Sequence, residues 1–188
     1  MRKKRLGFEL IILGDSASGK DTQALLLAKK YNVRLARSGE YFRKLRGYRY
    51  RHGAPAPSSL VIMFLNYYLK NLTWNRNTIF VGAARLKAEA QYLVKELNKR
   101  NRDFFVLYIK VPTTEIVKRS KLRSQRLEDR DIRLINSRIK YYKQQVSKTV
   151  DYYKRLRKLK FVNGKQTVSL VHKDILRAIS DYQRSKRG

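Results

Sequence analysis

The sequence predicts an α/β protein built on a central parallel sheet, and three observations carry that prediction. Short apolar runs alternate with amphipathic segments of ten residues or more along the whole 188-residue chain, which demands crossover connections and therefore parallel strands. A glycine-containing loop, residues 14–20, follows the first apolar run directly and leads into a segment with helical spacing. Apolar residues make up 43% of the chain, enough for one folded core in a domain of this size.

Residues 6–13 read as a buried strand and residues 22–31 as an amphipathic helix of good helix formers. Residues 38–45 read as a short helix with Ser38 as its N-cap. Residues 53–59, with Pro55 and Pro57, form a connection ahead of a helix at 58–72. A second strand at 78–81, a helix at 86–100 and a third strand at 104–111 follow. Pro112 stops that strand, and residues 113–124 are helical. A long helix covers 131–156, a last strand 159–162, and a closing helix 168–184. The basic tail, 184–188, is expected to fray. No internal repeat or linker divides the chain, so residues 1–188 read as one domain.

The basic start, Met1 to Arg5 before an apolar run, has the outline of a signal peptide. Glu9 interrupts that run, however, Gly14-Asp15 ends it, and no small-residue cleavage site follows. No stretch approaches the roughly 18 apolar residues of a membrane helix. A cytoplasmic protein with no membrane partner is expected. With no cysteine in the chain, a disulfide framework and a thiolate metal site are excluded.

Charge is the outlier: 45 Lys+Arg stand against 14 Asp+Glu, a net +31. Such a chain attracts polyanions, so RNA or the ribosome is one expected partner. A lineage of uniformly basic proteins, or adaptation to polyphosphate substrates, accounts for the same number.

Gly14-Asp15-Ser16-Ala17-Ser18-Gly19-Lys20-Asp21-Thr22 is a phosphate loop by its spacing, Gly-x4-Gly-Lys, and by its place between a strand and a helix. Glycines let the backbone wrap a phosphate with successive N–H groups inward, and the following helix adds its positive end. Lys20 supplies a mobile charge and Thr22 a hydroxyl near phosphate or metal. Asp21 stands where the general pattern has Ser or Thr.

The run Gly14 to Gln23 resembles the adenylate kinase loop, and the similarity continues in order along the chain. Arg37-Ser38-Gly39-Glu40-Tyr41-Phe42-Arg43 looks like that family's monophosphate-receiving Ser-Thr-Gly-Asp-x-x-Arg. Gly53-Ala54-Pro55-Ala56-Pro57 resembles its Gly-x-Leu-Val-Pro. Val81-Gly82-Ala83-Ala84-Arg85 stands at Asp-Gly-Phe-Pro-Arg, with Glu89 in place of a glutamine. Arg119, Arg123, Arg126 and Glu128-Asp129 look like lid residues, Arg138 like the arginine of the helix after it, and Asn163-Gly164 with Gln166 like the closing turn.

The resemblance implies a P-loop NTPase-like, three-layer fold. It has a five-stranded parallel sheet, a helical acceptor-binding insert at 37–72 and a short lid at 119–131. It implies transfer of phosphoryl from ATP to a nucleoside monophosphate, AMP by default, by a monomer that uses Mg2+, here without a zinc module. Lys20, Arg85, Arg123, Arg126 and Arg138 would be the catalytic set. Gly14, Ala17, Ser18, Gly19, Lys20, Asp21, Thr22, Arg119, Arg123 and Gln166 would hold ATP. Ser38, Arg43, Ala56, Gly82, Arg85, Glu89, Arg126 and Arg138 would hold the acceptor. Guanidinium forks suit phosphate oxygens, and phosphoryl transfer needs charge stabilisation above all.

Three positions depart from the family. Val81 replaces the aspartate that orders the metal's water shell, which lowers the expected activity. Thr22 and Asp21 are then the candidate metal residues, Asp21 reading equally as a helix N-terminal acid. Ala83-Ala84 removes an aromatic-proline pair. Glu89 accepts hydrogen bonds but cannot donate them, which shifts base preference. An alternative expectation is a catalytically weak kinase-like protein bound to RNA. It rests on the charge and on residues 41–52, where tyrosines and arginines interleave. Residues 41–88 contain no Asp or Glu and nine Lys+Arg. The two histidines, His52 and His172, read as ordinary surface residues, and the tyrosines of 141–153 as helix packing.

Overall fold

The computed structural model describes residues 3–45, 56–123 and 131–186, without the Arg123 side chain. Five strands, β1 (Glu9–Gly14), β2 (Val33–Arg37), β3 (Asn77–Val81), β4 (Phe104–Lys110) and β5 (Leu159–Asn163), form one sheet in the order β2-β3-β1-β4-β5. Every pairing is parallel. Among the described residues the helices are α1 (Lys20–Lys30), α2 (Ser38–Lys44), α3 (Ser58–Lys70), α4 (Lys87–Asn98), α5 (Thr113–Arg123), α6 (Ile132–Arg155) and α7 (Val168–Arg184). This is the P-loop NTPase-like α/β architecture.

β1 lies at the centre and is buried throughout. Its side chains alternate between two cores, as a pleated strand requires. Leu10 and Ile12 join Ala24 and Leu27 of α1 and Ile175 and Ile179 of α7. Ile11 and Leu13 join Phe64 and Leu65 of α3, Leu93 and Leu97 of α4, and Tyr153 of α6. The connection leaving β1 therefore crosses one face of the sheet, and the connection leaving β3 crosses the other. The chain parts at the carboxyl ends of these strands, where open α/β sheets leave a binding crevice.

Several expectations are corrected. β1 begins at Glu9 and not at residue 6, because Gly7 takes a left-handed φ of 88° and breaks the strand while Leu6 and Phe8 stay buried. The pattern of residues 33–37 did not announce β2. Two arginines occupy this edge strand. Arg34 stacks on Tyr67 and Tyr68, and Arg37 pairs with Asp21 and Glu40. Ser38 is not an N-cap: Arg37 holds that position, and the Ser38 hydroxyl faces the carbonyls of Gly82 at 2.9 Å and Val81 at 3.2 Å. α7 runs to Arg184, which pairs with Asp181, and Lys186 beyond it pairs with Asp103. His172 is half-buried and paired through Nδ1 with Gln23 Oε1 at 3.0 Å. No helix among the described residues is long and apolar enough to cross a membrane.

Candidate active site

The loop after β1 turns twice through left-handed conformations, at Ala17 (φ 59°) and Gly19 (φ 87°), before α1 begins at Lys20. Alternation of this kind lets consecutive N–H groups converge on an anion. Gly14 cannot carry a side chain: a Cβ there lies 2.6 Å from Ser18 Oγ and 2.9 Å from the Ile109 carbonyl. Lys20 is 8% exposed and donates to the Asp15 carbonyl at 3.0 Å.

Gly82 is the point on which the second wall converges. At φ 67° a Cβ would stand 3.0 Å from Arg85 Nη2, 3.1 Å from Lys20 Cε and 3.5 Å from Ser38 Oγ. Its carbonyl also accepts from Arg85 Nε at 2.7 Å. A glycine after β3 thus brings the phosphate-loop lysine, the α2 serine and an arginine to one place. The third wall is α6, where Arg138 donates to the Ser16 hydroxyl across the cleft. Ser120 of α5 also lines this cleft, its buried hydroxyl without a hydrogen-bond partner among the described residues.

Asp15 lies in the middle of these cations. Burial pushes its carboxyl up to about 6, against the pull of Lys20, Arg85, Lys143 and Arg138. Asp15 and Ser16 are not marked in the sequence as site residues because both occupy filler positions of the Gly-x4-Gly-Lys pattern. The signal was an acid inside a phosphate loop. Lys143 was missed because its approach depends on the register of α6.

One cleft gathers Lys20, Asp21, Ser38, Arg43, Ala56, Gly82, Arg85, Glu89 and Arg138. Gly14, Ala17, Ser18 and Gly19 build the loop behind it. Thr22 is exposed and is not among the described residues lining the cleft. Glu89 lines the cleft but is committed to local bonds. Its Oε2 accepts from the backbone N–H of Arg85 (3.0 Å) and Leu86 (3.2 Å), and its Oε1 from Ser58 Oγ at 2.8 Å. Asp21 pairs with Arg37 at 3.4 Å. Val81 is 2% exposed and belongs to the core cluster that includes α1.

Arg119 and Gln166 meet elsewhere, at the turn between β5 and α7. Arg119 donates to the Gly164 carbonyl at 3.0 Å, and Gln166 to the Asn163 carbonyl at 3.0 Å. Gly164 is obligatory there, since a Cβ would fall 2.4 Å from Val111 Cγ2. Arg126, Glu128, Asp129, the Arg123 side chain, residues 53–55 and the tyrosine-arginine stretch 46–52 lie outside the described residues.

Among the described residues no group of three or more His, Cys, Asp or Glu side chains could hold a metal ion. Asp15 and Asp21 nevertheless line the cleft with Lys20. Magnesium keeps several waters and takes one or two carboxylates together with substrate phosphates. The donor set therefore fits an ion that arrives on a nucleotide, not one caged by protein alone.

No family model matches the chain. Curated relatives match it nearly end to end. An adenylate kinase of Bacteroides thetaiotaomicron is 29% identical over 186 residues, covering 90% of this chain and 97% of that protein. Adenylate kinase 2 of a Nostoc species is 28% identical over 183 residues, covering 90% and 97%. The adenylate kinase of Prochlorococcus marinus is 29% identical over 178 residues, covering 88% and 95%.

Proposed function

We propose that this chain, which is similar to adenylate kinases over about 90% of its length, transfers the γ-phosphoryl group of ATP to a nucleoside monophosphate, with AMP as the default acceptor. The observation that supports this reading most is the convergence of Lys20, Ser38 and Arg85 on Gly82, facing Arg138 across one cleft.

In this reading an oxygen of the acceptor α-phosphate attacks the γ-phosphorus in line. The bond to the β–γ bridging oxygen breaks, and two nucleoside diphosphates leave. The protein forms no covalent intermediate; it positions the partners and stabilises charge on the moving group. Lys20 and the loop N–H groups hold the β- and γ-phosphates. Arg43 and Arg85 hold the acceptor phosphate. Arg138, joined by Arg123 and Arg126, surrounds the transferred group, and Arg119 with Gln166 borders the adenine of ATP. Magnesium bound with ATP neutralises charge on the phosphate oxygens. Val81 offers it no carboxylate, so Asp15 and Asp21 are the acids left near the phosphates and turnover is slower than an aspartate at position 81 would give.

Incubation with Mg-ATP and each of AMP, CMP, UMP and dAMP tests the reading by diphosphate formation. AMP is expected to react fastest, and Lys20→Ala to lower the rate by more than about 100-fold, the scale of one lost charge-stabilising contact. Absence of diphosphate above the Lys20→Ala level with every acceptor overturns it.

A further inference from the structure

In a parallel sheet every segment that enters a strand arrives at the same end, opposite the nucleotide cleft. Here those segments are basic. Lys3, Lys4 and Arg5 precede β1, Lys29 and Lys30 precede β2, Lys70 and Arg76 precede β3, and Lys99, Arg100 and Arg102 precede β4. The acids at this end are used up. Glu9 is fully buried against Arg102, Glu96 pairs with Lys99 and Arg100, and Asp103 pairs with Lys158 and Lys186.

Trp74, the chain's single tryptophan, stands among these cations and is 71% exposed. Its backbone is held in place: Arg5 donates to the Trp74 carbonyl, Asn32 donates to the Asn75 carbonyl at 3.3 Å, and Thr73 bridges to Arg76. The Arg102 guanidinium lies 5.1 Å from the indole centroid. One face of the ring is thus backed by a fixed cation while the rest meets solvent. Lys70 and Arg100 line the hollow beside it.

We propose that this end of the sheet binds single-stranded RNA, with a base stacked on Trp74 and the backbone phosphates paired with Lys70 and Arg76. A large aromatic is normally withdrawn from water. A rigid, exposed ring framed by lysines and arginines is the composition of a stacking platform in an electrostatic groove. Stacking needs an unpaired base, which excludes a duplex. Asn71, Thr73 and Asn75, exposed around the ring, are hydrogen-bonding groups suited to a ribose 2′-hydroxyl, which selects RNA over DNA. The site does not rest on the phosphoryl-transfer reading, since no residue of it lines the cleft.

The lone tryptophan reports on its own site. Titration of the full chain with a 12-nucleotide oligo(U) is expected to quench its fluorescence saturably, with oligo(dT) weaker and a 12-base-pair RNA duplex weaker still. By anisotropy of labelled oligo(U), Trp74→Ala lowers affinity about 5- to 100-fold, as loss of one stacked base does, while Trp74→Phe retains most of it. Lys70→Glu with Arg76→Glu flattens the slope of log affinity against log salt by about 1.4, roughly 0.7 per phosphate lost. Unchanged melting temperatures and phosphoryl-transfer rates for Trp74→Ala show that the fold and the cleft are intact. Wild-type affinity in Trp74→Ala, or unquenched fluorescence at saturation, overturns the proposal. So does equal binding of oligo(dT), or heparin or an acidic peptide binding with the same dependence on Trp74.

Discussion

Asp15 places a carboxylate where the protein otherwise collects cations, and burial outweighs their pull, so its pKa rises from 3.8 to about 6. The folded state therefore holds this proton more tightly than the unfolded chain. The stability it confers is complete below about pH 4, falls as pH rises towards 6, and is absent above. Asp15→Asn removes the dependence. In urea titrations the variant is expected to exceed the wild type by about 2 kcal/mol at pH 8, at roughly 1.36 kcal/mol per pKa unit with allowance for residual solvent contact, and to match it at about pH 3, below the unfolded-state pKa. Tyr108 and Tyr142, the other titratable groups facing Asp15, stay neutral over that range because burial pushes both hydroxyls up. A variant less stable than the wild type at pH 8 would mean that the surrounding lysines and arginines outweigh burial. The same carboxylate shows where residue-scale reading stopped. Lys20, Arg85 and Arg138 were legible because motif and spacing mark them, whereas Asp15 acquires its character only from burial, which no spacing encodes.

At the scale of elements, the phosphate loop contains its own strain. Ala17 in that loop, like Ala84 in the turn after β3, adopts left-handed backbone, at φ 59° and 53° respectively, a conformation that costs a Cβ-bearing residue about 1–2 kcal/mol. Ala17→Gly relieves the loop but loosens the unfolded chain by about 0.4–1 kcal/mol. A net gain of about 0.5–1 kcal/mol is expected, seen as a higher urea midpoint at unchanged slope; a lower midpoint would show that the surrounding walls, not the residue, impose the turn. The boundaries of α7 follow from amphipathic periodicity alone, and α3 and α6 lie within two residues of the pattern. β2 was not legible because Val33–Arg37 carries an edge strand's polarity, and its arginines are held by Tyr67, Tyr68, Asp21 and Glu40 from elsewhere in the chain. Ser38 shows a similar limit. Its identity fits a cap, but two carbonyls at the end of a neighbouring strand take its hydroxyl.

For the molecule as a whole, the charge imbalance sets how stability answers to salt. Carboxylates already sit in pairs: Glu40 with Arg37 and Lys44, Glu96 with Lys99 and Arg100, and Asp103 with Lys158 and Lys186. Such exposed or partly exposed pairs each contribute about 0–1 kcal/mol and weaken with screening. The net +31 leaves many more cations that repel one another across a small domain, and screening weakens those repulsions too. Repulsive pairs outnumber attractive ones, so salt is expected to stabilise the fold, whereas a charge-balanced protein held by ion pairs would lose stability. Raising NaCl from 20 to 300 mM shortens the Debye length from about 20 Å to about 6 Å, so repulsions beyond close neighbours are largely screened. A rise in melting temperature of about 2–4 °C, equivalent to about 1 kcal/mol in a chain of this length, is the expected result by calorimetry. A fall over the same range would show that the paired carboxylates, few as they are, dominate the electrostatics of the fold.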